Sequence, residues 1–263
     1  MPPSKKPVDP DVYTIYIDRS YFIFYRYYAL TAWWKLAMPD DPLGDPIDNP
    51  EFVEKYKKTF VSKIMDLPKR LKIANYTIIA ARDCPRADIW RHAFYDGYKA
   101  NRVMDDAFLG GPFFKLSYQI LDEMKIQVLY HPNLEGDDCI ALAVKDILAT
   151  DAEKKVVIIA NDMDYLQLAG PRIQLLNLKY KLLTDNKKWS GDPQKDLFCK
   201  IVMGDKSDDI PAIFKKCGPK TAAKFYEDRD AFEAQLKKED AFALYERNRK
   251  LVDFNEIPKG SSL

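Results

Sequence analysis

The sequence predicts an α/β fold: a mostly parallel central sheet flanked by helices, followed by a smaller helical region. Three observations carry this. Short β-rich runs alternate with segments of helical periodicity, which is the signature of βα units. Those runs repeatedly stop at an aspartate. From Pro193 onward the β-rich runs cease and the pattern becomes helical.

Val12 to Ile17 is the first β-rich run, and Asp18 closes it. Ser20 to Trp34 is aromatic-heavy and helical in pattern, and Pro39 to Pro50 carries the Pro, Gly, Asp and Asn of a loop. Glu51 to Leu71 follows a helical pattern through Phe52, Tyr56, Phe60, Ile64 and Leu67. A second run, Tyr76 to Ala81, leads to Arg82-Asp83. Basic residues Arg86, Arg91, Lys99 and Arg102 then interleave with Trp90, Phe94, Tyr95 and Tyr98. Val103 to Pro112 reads as a mobile segment, Phe113 to Lys125 as a helix and Ile126 to Tyr130 as a third strand. Next comes Glu135-Gly136-Asp137-Asp138, where three carboxylates open a segment with Ile140, Val144, Ile147 and Leu148 at helical spacing. Taken alone, this is a capped helix start, since negative charge is favoured there. Val156 to Ala160 is a buried strand ending at Asn161-Asp162-Met163-Asp164, and Ile173 to Leu178 is a further strand.

The chain has 263 residues, of which 47% are hydrophobic, enough for a packed core. The start lacks the apolar stretch of a signal peptide, and no run is long enough to span a bilayer. A soluble intracellular protein is expected, cytoplasmic or nuclear according to its source, which could be viral. Cys84, Cys139, Cys199 and Cys217 are far apart and form no CxxC pair, so free thiols are expected rather than a zinc site or disulfides. With only His92 and His131, any metal must be held by carboxylate oxygen and water. The net charge is +1. If about eight carboxylates converge on one site, the remainder carries about nine positive charges, a balance that suits a polyanion.

In a parallel sheet, ligands bind outside the carboxyl ends of the strands. Asp18, Asp83, the 135–138 group and Asp162 with Asp164 therefore belong to one edge. So many carboxylates repel one another unless cations neutralise them. All-oxygen ligation suits Mg²⁺, with Mn²⁺ as a substitute. Two such ions about 4 Å apart can activate a water and stabilise a leaving oxygen in phosphoryl transfer. A structural Ca²⁺ site is the competing reading, but no EF-hand spacing is present.

These residues, with Gly204-Asp205-Lys206-Ser207-Asp208-Asp209-Ile210-Pro211 and Cys217-Gly218-Pro219-Lys220-Thr221 after them, resemble the 5′-nuclease superfamily: flap endonucleases, phage RNase H or 5′-exonuclease, and the 5′-nuclease domain of bacterial DNA polymerase I. The resemblance runs from about Tyr13 to Pro258 and includes Asp18-Arg19-Ser20-Tyr21 and Tyr98-Lys99-Ala100-Asn101-Arg102. It implies a PIN-like nuclease core over 1–192, with a short arch near 86–125. A helix-turn-helix-type DNA-binding subdomain and tail over 193–263 would follow. It further implies that Asp18, Asp83, Glu135, Asp137 and Asp138 shape a first metal site. Asp162, Asp164, Asp205 and Asp208 would shape a second, and Lys99 and Arg102 would grip the scissile phosphate. DNA contacts are expected from Arg91, Lys99, Arg102, Lys215, Lys216, Gly218, Lys220, Thr221 and Lys224, with K⁺ at the Gly218 turn. Asp209 has no clear counterpart and reads as a capping or solvated residue. Arg19 stands where many relatives have glycine, and Val103 to Pro112 is short and acidic for an arch.

The resemblance thus implies a monomeric, Mg²⁺-dependent nuclease acting near the 5′ end of flaps, nicks or RNA primers, in the company of replication proteins. A haloacid-dehalogenase-like phosphatase needs a second aspartate two residues after the first, and that position is Ser20. A catalytically inactive junction-binding scaffold would not need every carboxylate. A PIN-type ribonuclease would not account for the Gly218 turn.

Overall fold

The computed structural model of the chain describes residues 9–102, 108–261 and 263. Five parallel strands, β1 (Asp9–Asp18), β2 (Ile73–Ala81), β3 (Gln127–Leu129), β4 (Lys155–Ile159) and β5 (Ile173–Leu176), form a sheet in the order β3-β2-β1-β4-β5. Successive connections thus add strands to one side of β1 and then to the other. The carboxyl end of β1 is a topological switch point, where ligands bind in open α/β sheets.

Side-chain alternation assigns each strand residue to one of two cores. Tyr13, Ile15 and Ile17 of β1, with Val157 and Ile159 of β4, face the helices α1 (Arg19–Ala37), α2 (Pro50–Leu71) and α3 (Gly111–Glu123). The residues between them, Tyr16, Val156 and Ile158, face α4 (Gly136–Thr150), which contributes Ile140 and Val144. Both faces are therefore buried, as a parallel sheet requires. Asn49 caps α2 by accepting from Phe52 N, and Pro50 supplies the fixed φ favoured at a helix start.

The remaining helices are α5 (Pro193–Met203), α6 (Pro219–Glu227), α7 (Arg229–Glu239) and α8 (Phe242–Val252). They share a core of Phe198, Val202, Phe214, Ala222, Phe232 and Leu236. The chain after α8 leaves this group. Phe254 and Ile257 return to the α4 face of the sheet, and Lys145 Nζ donates to Phe254 O.

The resemblance implies a short arch near 86–125, and residues 86–102 are its first part. Residues 86–102 form short turns, including 3₁₀ turns at Arg86–Asp88 and Trp90–Ala93, and they pack inward. Ile89 and Tyr98 are buried with Leu197 and Ile201 of α5 and with Leu251 and Val252 of α8. Burial of apolar and aromatic surface holds these turns against the core. α3 is a core helix with Phe113 fully buried. Val103 to Ala107, half of the segment expected to be mobile, lies outside the described residues. All four cysteines are free thiols, and among the described residues no helix is long and apolar enough to cross a membrane.

Candidate metal centre at the strand ends

Parallel register brings the acidic strand ends together. Asp18 pairs with Ala81, and Ile17 with Ile159, so the residues after β2 and β4 emerge beside Asp18. Asp18 caps α1, its Oδ1 accepting from Tyr21 N at 3.0 Å, while its Oδ2 accepts from the Tyr165 hydroxyl at 3.2 Å. Burial, and then the nearby charges of Asp83 and Asp162, push its pKa up to about 7. Asp83 Oδ1 accepts from Gly136 N at 2.7 Å, and its Oδ2 from the Ser20 hydroxyl. A Cβ at position 136 would lie 3.1 Å from Asp83 Oδ1, so glycine lets the start of α4 approach this carboxylate.

The 135–138 group is both a helix start and a wall of the site. Arg91, 2% exposed, donates through Nη1 to Glu135 Oε2 at 2.9 Å and to Asp138 Oδ2 at 2.7 Å, and through Nη2 to Asp138 Oδ1 at 2.6 Å. Its Nε donates to Leu251 O at 2.8 Å, so α8 shares the brace. Asp138 is fully buried and also accepts from Trp90 Nε1 and from Glu135 N. Glu135 accepts from the Tyr98 hydroxyl at 2.9 Å and from Lys99 Nζ at 2.5 Å. Burial raises the Glu135 pKa, but Lys99 and Arg91 outweigh it and leave the carboxyl below its usual range. Asp137 turns into the crevice, and burial, with Asp138 and Glu135 nearby, holds its pKa well above the ordinary value.

Asp164, Asp205 and Asp208 offer oxygens within 4.8 Å of one another, as do Glu135, Asp137 and Asp138. Lys200 of α5 reaches into this second group, 2.6 Å from Asp205 and in contact with Asp164. Burial raises the Asp205 pKa, but the Lys200 ammonium outweighs it and holds the carboxyl down at about 2. Asp208 goes the other way: burial raises it despite Lys99 and Arg102. Arg102 Nη2 is 2.6 Å from Asp208 Oδ1, and Lys99 N donates to Asp208 O at 2.8 Å. Asp209, at φ 56°, accepts from Asn101 N, so the 99–102 segment is clipped to the 205–209 loop. Gly204 holds the entry to that loop at φ 71°, where a Cβ would sit 2.2 Å from Ile210 O.

One crevice of about 290 Å³ is lined by Asp18, Asp83, Lys99, Arg102, Glu135, Asp137 and Asp162. Asp162 adjoins the second group: burial and then Asp164 raise its pKa, and Asp208 adds to this. Such packing of carboxylates, with no histidine or thiol among them, fits hard divalent cations. Arg91 corrects the sequence reading. It was expected to contact DNA, but it is buried and its donors are spent on Glu135, Asp138 and Leu251. Both oxygens of Asp138 are likewise engaged, so it anchors Arg91. Lys215, Lys216, Gly218, Lys220, Thr221 and Lys224 lie apart from the crevice, exposed on the turn before α6 and on α6 itself. Sequence reasoning missed Lys200, Ser20, Tyr98 and Tyr165. Tyr98 stood beside Lys99 in a quoted motif, whereas nothing distinguishes Lys200 from Lys195, the other lysine of its helix.

A family model described as the 5′-3′ exonuclease N-terminal resolvase-like domain matches residues 13–193. DNA polymerase I of Treponema pallidum is 36% identical over 51% of this chain, an alignment covering 14% of that protein. Ribonuclease H of Enterobacteria phage T4 is 28% identical over 72% of this chain and 68% of its own length. The chain therefore spans only a small part of the polymerase relatives it matches. Among solved structures, the bacteriophage T5 D15 protein co-crystallised with metal ions has a TM-score of 0.68 at 17% identity, covering 92% of this chain and 89% of that one. The same D15 flap endonuclease, as a pseudo-enzyme-product complex with DNA and metal ions, gives 0.64. The two proteins share a fold.

Proposed function

The chain belongs to the 5′-3′ exonuclease family, and on that premise we propose that it is a structure-specific 5′-nuclease, hydrolysing phosphodiester bonds at flaps, nicks or RNA-primed ends with two Mg²⁺ ions. One observation carries this reading: Asp18, Asp83, Glu135, Asp137 and Asp162 converge on a crevice whose wall also holds Lys99 and Arg102. Carboxylates alone would describe a cation site. The two cations beside them give a phosphodiester somewhere to bind.

Asp18, Asp83, Glu135 and Asp137 would hold one ion, and Asp162, Asp164, Asp205 and Asp208 the other. When bound, the ions would generate the attacking hydroxide and stabilise the leaving oxygen. Tyr165 and Ser20 orient Asp18 and Asp83 through hydrogen bonds. Arg91 and Tyr98 fix Glu135, so the site is assembled before substrate arrives. Lys99 and Arg102 would neutralise charge on the transferring phosphoryl group. The exposed amides and lysines at Gly218, Lys220 and Lys224 would take the backbone of the duplex, with K⁺ at the turn. The bound DNA and metal ions of the D15 protein support this assignment by fold.

Incubation of the purified protein with end-labelled 5′-flap, 3′-flap, nicked and RNA-primed duplexes, in Mg²⁺, Mn²⁺ or chelator, tests the proposal. Metal-dependent cleavage near 5′ ends is expected. Cleavage of 3′ flaps alone, or undiminished cleavage in chelator, overturns it.

A further inference from the structure

Beyond the acidic crevice, and sharing Ser20 and Asp83 with it, lies a second cavity of about 640 Å³ with the opposite character. Its walls carry Arg19, Arg82, Lys115 and Tyr118, and the first turn of α3 at Gly111. Arg19 is 5% exposed, and its Nε and Nη1 have no hydrogen-bond partner among the described residues. Its guanidinium stacks on Tyr118 at 4.1 Å from the ring centroid. Arg82 stacks at 4.5 Å on Tyr118 and at 4.5 Å on Tyr130. Among the described residues, the N-terminus of α3 has no side-chain cap and no acidic residue in its first turn. The one carboxylate among the described residues of the wall, Asp83, already accepts from Gly136 N and the Ser20 hydroxyl.

A buried guanidinium with unsatisfied donors is costly unless a partner arrives. Two guanidiniums placed over aromatic rings, a lysine and an open helix start are the parts of an anion site. Its place follows from the sheet. Asp83 and Arg82 follow β2, on one side of β1, whereas Asp162 and Asp164 follow β4 on the other. A strand whose scissile phosphate lay in the crevice would pass this pocket, which shares Ser20 and Asp83 with the crevice.

We propose that this pocket binds a phosphate of the strand on the 5′ side of the cleaved bond, either the terminal 5′-phosphomonoester or an internal phosphodiester of a flap. The assignment rests on the nuclease reading above. The pocket gives that reading a means of sensing the end it acts on, and it does so with Arg19, where the family resemblance led to glycine.

The test is equilibrium binding of the full chain in chelator to duplexes with a short 5′ overhang, 5′-phosphorylated or 5′-hydroxyl, and to a long 5′ flap. The wild type is compared with Arg19→Gln, Arg82→Gln and Lys115→Ala. Losing a charge-assisted contact should weaken phosphate binding about tenfold. Loss confined to the 5′-phosphorylated overhang supports the proposal with the terminal group as ligand. Equal loss on the long flap, whatever its end, supports it with the internal phosphodiester. Arg82 and Lys115 are more exposed than Arg19, so those variants keep the test decisive if Arg19→Gln does not fold. Unchanged affinity for all three DNAs overturns the proposal, and if the wild type still cleaves them in Mg²⁺, the nuclease reading survives that result.

Discussion

Besides Lys99, which pairs with Glu135, and Arg102, which pairs with Asp208, the two carboxylate groups of the crevice hold cations of different kinds. At Glu135 and Asp138 the cation is Arg91, buried and making four side-chain hydrogen bonds across α4 and α8. At Asp164 and Asp205 it is Lys200, whose side chain is 25% exposed and whose ion pairs among the described residues are with these two carboxylates of the proposed ligand set. A guanidinium fixed in this way cannot leave without unfolding its surroundings, because Asp138 would be left buried and charged. An ammonium on a flexible stem can withdraw. The difference teaches that one end of the site is built by the fold, while the other is held by an internal stand-in for the divalent ion.

The largest expected effect breaks the first half of that contrast. Arg91→Met should cost about 3–5 kcal/mol of stability, the usual consequence of removing one partner of a buried pair. Urea unfolding of the metal-free protein measures it. Lys200→Met should cost far less on the same measurement, and equal losses would erase the distinction between brace and stand-in.

Asp205→Asn addresses the second half. As a ligand of the second ion, it should lower Mg²⁺-dependent cleavage by more than the roughly 10–100-fold typical of outer partners, with junction binding kept. Asp162→Asn should behave alike. Single-turnover cleavage beside equilibrium binding separates the two quantities, and full cleavage by both variants would remove the two-ion assignment. A smaller effect is expected for Lys200→Met on ion binding itself. With its competitor gone, the second group should bind Mn²⁺ several-fold more tightly in calorimetric titration of the DNA-free protein. Weaker binding would mean that Lys200 positions the carboxylates rather than opposing the ion.

The same contrast marks what was legible in the sequence. Asp18, Asp83 and Asp162 could be read as one edge because each closes a β-rich run, and strand ends in a parallel sheet share a face. Lys99 and Arg102 followed from an ordered motif. The role of Arg91 could not be read. Its partners lie 44 and 47 residues away, and an arginine among aromatics looks the same whether it faces DNA or two buried carboxylates. The inward packing of residues 86–102 was illegible for a related reason, since Trp90, Tyr98 and Ile89 spend their apolar surface on packing against α4, α5 and α8. Spacing along the chain reports local periodicity and is silent on which distant surface receives a side chain.

Protons bear on the same site, because Asp18 and Asp205 titrate with opposite sign. Asp18 has its folded pKa raised to about 7 by burial and by Asp83, above that of an unfolded aspartate near 3.8. Between those values the native state holds a proton that the unfolded chain has lost, so stability falls as pH rises through this window. Asp205 is held at about 2 by Lys200 against the effect of burial, so its contribution is present above the unfolded value and is lost only as pH falls toward 2. Metal-free protein should therefore lose thermal stability from about pH 4 to about pH 7, and Asp18→Asn should flatten that slope. Mg²⁺ needs the ionised carboxylate, so its affinity should climb over the same range and offset the loss. Melting curves at fixed ionic strength, with chelator and with Mg²⁺, measure both. A wild-type slope that persists in Asp18→Asn would assign the raised pKa to other members of the group, of which Asp137 and Asp162 carry shifts of the same direction.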